Sequence, residues 1–139
     1  MGFMRIRKDF SEVDKLLEGI DPSMVKITGS YLWYPRFTDI DCTFYDPSLI
    51  WKITRNANKC HYRVDIKLVT KEEFDKLEDL NTFKNFCMCY HNGKVIFSDN
   101  YVDSQYLEFN PDSVGFYNNA GAIREKIRKN LSRGFLIRN

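Results

Sequence analysis

The chain is short of the features that would make its class obvious. It has four cysteines and four prolines in 139 residues, and its formal net charge is only +2. Few prolines and seven glycines leave no linker of the Pro/Gly/Ser type, and no segment repeats. No apolar run is long enough to span a bilayer, which excludes a membrane-spanning helix. The start, Met1-Gly2-Phe3-Met4-Arg5-Ile6, lacks the apolar stretch of a signal peptide, and Ile6 stands where a myristoylation site wants Ser or Thr. A cytoplasmic protein with reduced thiols is expected, and Asn130-Leu131-Ser132 then has no meaning as a glycosylation acceptor. Cys87-Met88-Cys89-Tyr90-His91 lacks the spacing and the second ligand pair of a zinc site, so buried core thiols are expected there.

What the chain does have is a globular balance. Hydrophobic residues make up 43% and charged residues 29%, enough for one domain over 1–139 with a core of its own. Aromatic residues are abundant at 15%. Rings fill cores and also stack on bases, so this number alone does not choose between the two roles. Charge is uneven: Arg124, Lys126, Arg128, Lys129, Arg133 and Arg138 face a single acid, Glu125, in the last twenty residues. That tail is a candidate surface for RNA or an acidic partner protein.

Periodicity predicts a helix over 11–18, with Phe10, Val13, Leu16, Leu17 and Ile20 at helical spacing and Ser11 as its cap. A strand follows over 24–28 and ends at Gly29-Ser30. Tyr31 to Tyr34 start a short helical turn that Pro35 breaks. Residues 39–45 alternate as a strand, with Ile40, Cys42 and Phe44 on one face and Asp39, Asp41 and Thr43 on the other. Asp46 and Pro47 open a helix that turns Leu49, Ile50 and Ile53 inward. In the strand over 62–69, Tyr62, Val64, Ile66 and Leu68 oppose His61, Arg63, Asp65 and Lys67. Thr70 and Glu73 form a capping box for the next helix. A hairpin turns at Asn92-Gly93, and 120–131 forms a basic helix. No element is readable over 98–118. The order predicts an α+β fold, a mixed β-sheet flanked by helices.

Asp39 and Asp41 carry the chemistry. Alternate strand residues share a face about 6–7 Å apart, and two like charges there repel. A divalent cation relieves that repulsion, and magnesium prefers carboxylate and phosphate oxygens. Asp65, on the polar face of the next strand, is the candidate third carboxylate. Gly29-Ser30, at the end of a strand and before a helical turn, offers backbone amides and a hydroxyl to an anion. Arg36, between the two halves, is a candidate for neutralising phosphate charge. Tyr31, Trp33 and Tyr34 are candidate base-stacking rings or core, and His61 and Arg63 share the face of Asp65.

Thr28-Gly29-Ser30 with Thr38-Asp39-Ile40-Asp41, and later Val64-Asp65-Ile66, resembles the signature of the nucleotidyltransferase superfamily related to DNA polymerase beta. The resemblance covers roughly 24–69 and is greatest to the minimal stand-alone members. It implies the nucleotidyltransferase fold and two Mg2+ ions held by Asp39, Asp41 and Asp65. It also implies a nucleoside triphosphate such as ATP on Gly29 and Ser30. The activity it implies is transfer of a nucleoside monophosphate to a hydroxyl of RNA or protein, with release of pyrophosphate. The alternative is a non-catalytic or partner-dependent regulatory protein, antitoxin-like, that keeps the fold. The eight-residue gap between Ser30 and Asp39 is short for the family, and Tyr31-Leu32-Trp33-Tyr34 is unusually aromatic.

Overall fold

The computed structural model describes residues 2–113 and 120–138. It is an α+β structure that divides into two compact units. The first comprises Arg5–Leu77 and Cys89–Ile96; the second gathers described residues of Met1–Met4, Glu78–Met88 and Phe97–Asn139.

A mixed five-stranded sheet organises the first unit. Its strands are β1 (Val25–Thr28), β2 (Asp39–Phe44), β3 (Arg63–Leu68), β4 (Met88–His91) and β5 (Lys94–Phe97), in the order β3-β2-β1-β4-β5. β1 runs antiparallel to β2 and β4, whereas β2 and β3 are parallel. A parallel pair needs a crossover. Helix α2 (Ile50–Ala57) supplies it, entered through a 3-10 turn at Pro47–Leu49 in which the Ser48 amide donates to the Asp46 carboxylate at 2.9 Å.

Alternation along β2 sets the layers. Ile40, Cys42 and Phe44 are fully buried, and burying an Ile or Phe side chain is worth about 1.5–3 kcal/mol. Val13 and Leu16 of α1 (Ser11–Leu16) and Ile53 of α2 are buried as well. The amide of Asn56 ties α2 to the end of α1 through the carbonyls of Leu16 (2.9 Å) and Glu18 (3.0 Å).

Several sequence expectations need correction. Ser11 does not cap α1 with its hydroxyl; the Asp9 carboxylate accepts the Ser11 N–H instead, at 3.0 Å. The helix stops two residues early and passes through turns into Gly19 at φ +74. Ile50, the first residue of α2, is exposed rather than inward. The alternation of β3 separates two faces as expected, and Tyr62 and Leu68 at its ends are exposed, β3 being an edge strand. The capping box of α3 (Lys71–Asp75) forms as expected, and Asn92 (φ 52) and Gly93 (φ 88) make the hairpin turn.

The second unit is largely irregular apart from α4 (Ala120–Ser132). Buried amides hold its loops. Asn110 donates to the carbonyls of Asp79 (2.7 Å) and Asn81 (2.8 Å), and Asn85 donates to those of Ser104 and Tyr106 (both 2.9 Å). Fully buried backbone needs such partners. Of the segment over 98–118, residues 114–118 lie outside the described residues.

Candidate functional site

Strand register assembles the site. Asp41 stands directly across from Asp65 on parallel β3 and from Thr28 on antiparallel β1. Register partners share a face, and neighbouring strands lie about 4.8 Å apart. Asp39, two residues earlier, lies on the same face opposite Arg63. Three acids from two strands thus occupy adjoining positions on one side of the sheet.

The other end of this face is closed. Lys26 and Thr43 are register partners, both buried, and the Lys26 Nζ donates to the Phe74 carbonyl at 2.7 Å while lying 4.8 Å from the Phe74 ring centre. Asp39 and Asp41 are only half-buried. The sheet face is therefore covered by α3 at the Thr43 end and open to solvent at the aspartate end.

Gly29 forms the wall beside Asp41. Its backbone sits at φ +87, ψ −168, a region that side-chain-bearing residues avoid. A Cβ there would stand 2.1 Å from the Asp41 Oδ2. The glycine thus serves twice, permitting the turn and letting a carboxylate press against the backbone. Ser30 then opens a 3-10 turn, Ser30–Leu32, in which its carbonyl accepts from the amides of Trp33 (3.1 Å) and Tyr34 (2.7 Å).

Arg7 pins this turn, a role the sequence reading missed. Its Nε donates to the Tyr31 carbonyl (2.6 Å) and its backbone amide to the Leu32 carbonyl (2.7 Å). The guanidinium also lies over the Tyr31 and Phe37 rings, at 4.3 and 4.8 Å. Tyr31 is 1% exposed, and burial pushes its phenol up to about 12. It is a core ring and not a stacking platform. Trp33 and Tyr34 are half-buried against one another. The rings nearer β3 are Phe37 and Tyr62, with centroids 4.5 Å apart.

Asp65 carries an ion pair that the sequence did not reveal. The Arg63 Nε lies 3.1 Å from its Oδ1, and both side chains are substantially exposed. Arg36 and His61 are exposed as well. Beneath Asp41, Cys42 is completely buried; burial, with the Asp41 charge adding to it, pushes the thiol up to about 12. All four cysteines are free thiols, and Cys87 and Cys89 are buried as expected.

Oxygen-only donors on three adjoining positions suit a hard cation such as magnesium. Among the described residues, no group of three or more His, Cys, Asp or Glu side chains is gathered closely enough to enclose a metal ion. The backbone register brings the three aspartates to one face. No helix among the described residues is long and apolar enough to cross a membrane. No protein-family model, no curated protein and no solved structure matches the chain.

Proposed function

We propose that this chain is a magnesium-dependent nucleotidyltransferase with a nucleotidyltransferase fold, moving a nucleoside monophosphate from a triphosphate to a hydroxyl of RNA or protein. The observation that carries the reading is the register of Asp41 with Asp65, with Asp39 on the same face and Gly29 pressed against Asp41. An acid with a purely solvating role has no need of a glycine-only backbone beside it.

In this reading Asp39 and Asp41 would hold two magnesium ions, with Asp65 as the further ligand on the acceptor side. Bound there, the ions would neutralise triphosphate charge and ease loss of the acceptor proton. Gly29 allows the phosphates close to the backbone, the Ser30 hydroxyl and the first amides of its turn donate to them, and Arg36 offsets their charge. The acceptor oxygen forms a bond to the α-phosphorus as the bond to the bridging α–β oxygen breaks. Pyrophosphate leaves, and Asp65 takes the hydroxyl proton.

A second reading has one observation in its favour. Asp65 is flanked on its own strand by Arg63, which bonds it, and by Lys67. Fixed cations can satisfy a carboxylate without a metal, as a non-catalytic, antitoxin-like regulator would require. Thermal unfolding with magnesium and each of ATP, GTP, CTP and UTP separates the readings. Binding at a hundredfold excess over Kd adds about 2.7 kcal/mol, a rise of several degrees. The proposal expects such a rise with at least one nucleotide, lost in Asp41→Asn; no rise with any nucleotide contradicts it.

A further inference from the structure

Between Asp46 and Asp65 the chain carries no acid at all. Pro47 to Val64 contains Lys52, Arg55, Lys59 and Arg63 as fixed cations, together with His61. This stretch forms α2 and leads into β3. Trp51, on α2, is 82% exposed, an unusual position for the largest apolar side chain. Arg55 follows it at i+4 and so shares its face, while Ile53 and Asn56 occupy the buried side. Lys59 is exposed just beyond the helix, and Tyr62, 41% exposed, leads directly to Arg63. Glu12, the acid that faces the Cys60 end from α1, is itself paired with Lys15 at 3.6 Å.

We infer that the outer face of α2 and its exit toward β3 bind single-stranded RNA, with Trp51 stacking on a base and Arg55 and Lys59 engaging phosphates. Resting on the nucleotidyltransferase reading, it names the acceptor. Exposed aromatics interleaved with cations suit unpaired strands, because every base has a face to stack on and every linkage a charge to meet. RNA is recognised chiefly at such unpaired loops and ends. A membrane surface fits less well. An interfacial helix buries a broad apolar face, whereas the outer side of α2 offers Trp51 and a half-exposed Ile50 among cations. Helix α4, the other basic element, is more encumbered: Glu125 pairs with Arg128 at 3.0 Å and Lys126 donates to Thr82 at 3.2 Å.

The test is fluorescence titration of the full chain with a twelve-nucleotide RNA of mixed sequence, in a Trp33→Phe background where Trp51 is the only tryptophan. RNA should quench Trp51. In a parallel anisotropy titration with dye-labelled RNA, Trp51→Ala should weaken binding by about fivefold or more. Arg55→Ala with Lys59→Ala should lower the salt slope by about 1.4. Thermal stabilisation by magnesium and nucleotide should be unchanged in these variants. Unaltered RNA affinity in both would overturn the assignment. So would affinity lost only in Arg124→Ala/Arg128→Ala, tighter binding of a DNA strand of equal length, or quenching by anionic lipid vesicles with none by RNA. RNA binding that tracks α2 in a protein no nucleotide stabilises would uphold this surface and sink the transferase reading alone.

Discussion

The Gly29 backbone and the Asp41 carboxylate occupy the same corner: a methyl group on the glycine would lie 2.1 Å from Oδ2. Gly29→Ala must therefore strain a φ of +87 and displace Asp41 as well. A loss of about 2–4 kcal/mol is expected by urea unfolding. Gly93→Ala is the control, because its φ is +88 but nothing lies within 4 Å of the added carbon. That substitution should cost only about 1 kcal/mol. Adding Asp41→Ala to Gly29→Ala should recover at least about 0.5 kcal/mol of the difference. Equal costs at the two glycines would show that the carboxylate is not held against the turn.

Arg63→Gln tests the ion pair with Asp65. The pair is exposed, so unfolding free energy should move by less than about 0.5 kcal/mol. Removing a cation beside three acids should lower the magnesium concentration that half-saturates nucleotide-dependent stabilisation. A higher magnesium requirement would mean that Arg63 supports the site and does not compete for it.

Alkaline pH should destabilise the fold through its buried thiols. Cys42 is pushed up to about 12 and Cys87 to about 11, against an ordinary value of 9.0. Above pH 9 the unfolded chain loses these protons while the folded chain keeps them. Stability is thus fully present below pH 9 and is lost as pH rises toward 11–12. Unfolding curves from pH 8 to 11 should show the decline, and Cys42→Ala should flatten its share. A flat profile would mean that these thiols are hydrated in the folded state.

Thr70→Ala offers a reference far from the chemistry. The Thr70 hydroxyl accepts the Glu73 amide at 3.1 Å and the Glu73 carboxylate accepts the Thr70 amide at 3.3 Å. Losing the box should cost about 1 kcal/mol without changing magnesium or nucleotide binding. Chemical denaturation together with nucleotide titration checks both halves of that statement.

Local signals explain why part of this was legible from the chain alone. The alternation of β2, the capping box at Thr70 and the Asn92-Gly93 turn each depend on residues within a few positions, where period and turn chemistry are decisive. The facing of Asp41 and Asp65 follows once β2 and β3 pair in register, but that pairing is non-local and no signal within either strand sets it. Arg7 was invisible because its partners lie some two dozen residues away, in a turn with no basic-residue signature. The exposure of Tyr62 and Leu68 was not legible because alternation marks a face without revealing whether anything covers it. The loops around Asn85 and Asn110 show no period, since single side-chain amides hold them in place of a repeating ladder.

The most direct measurement is incubation of the full chain with α-labelled nucleoside triphosphates, magnesium, and a pool of RNA and protein acceptors, beside Asp39→Asn, Asp41→Asn and Asp65→Asn. The expected result is label on one acceptor class with release of pyrophosphate, abolished in all three variants while their unfolding curves stay cooperative. Equal labelling by wild type and Asp41→Asn would contradict a carboxylate-centred transferase.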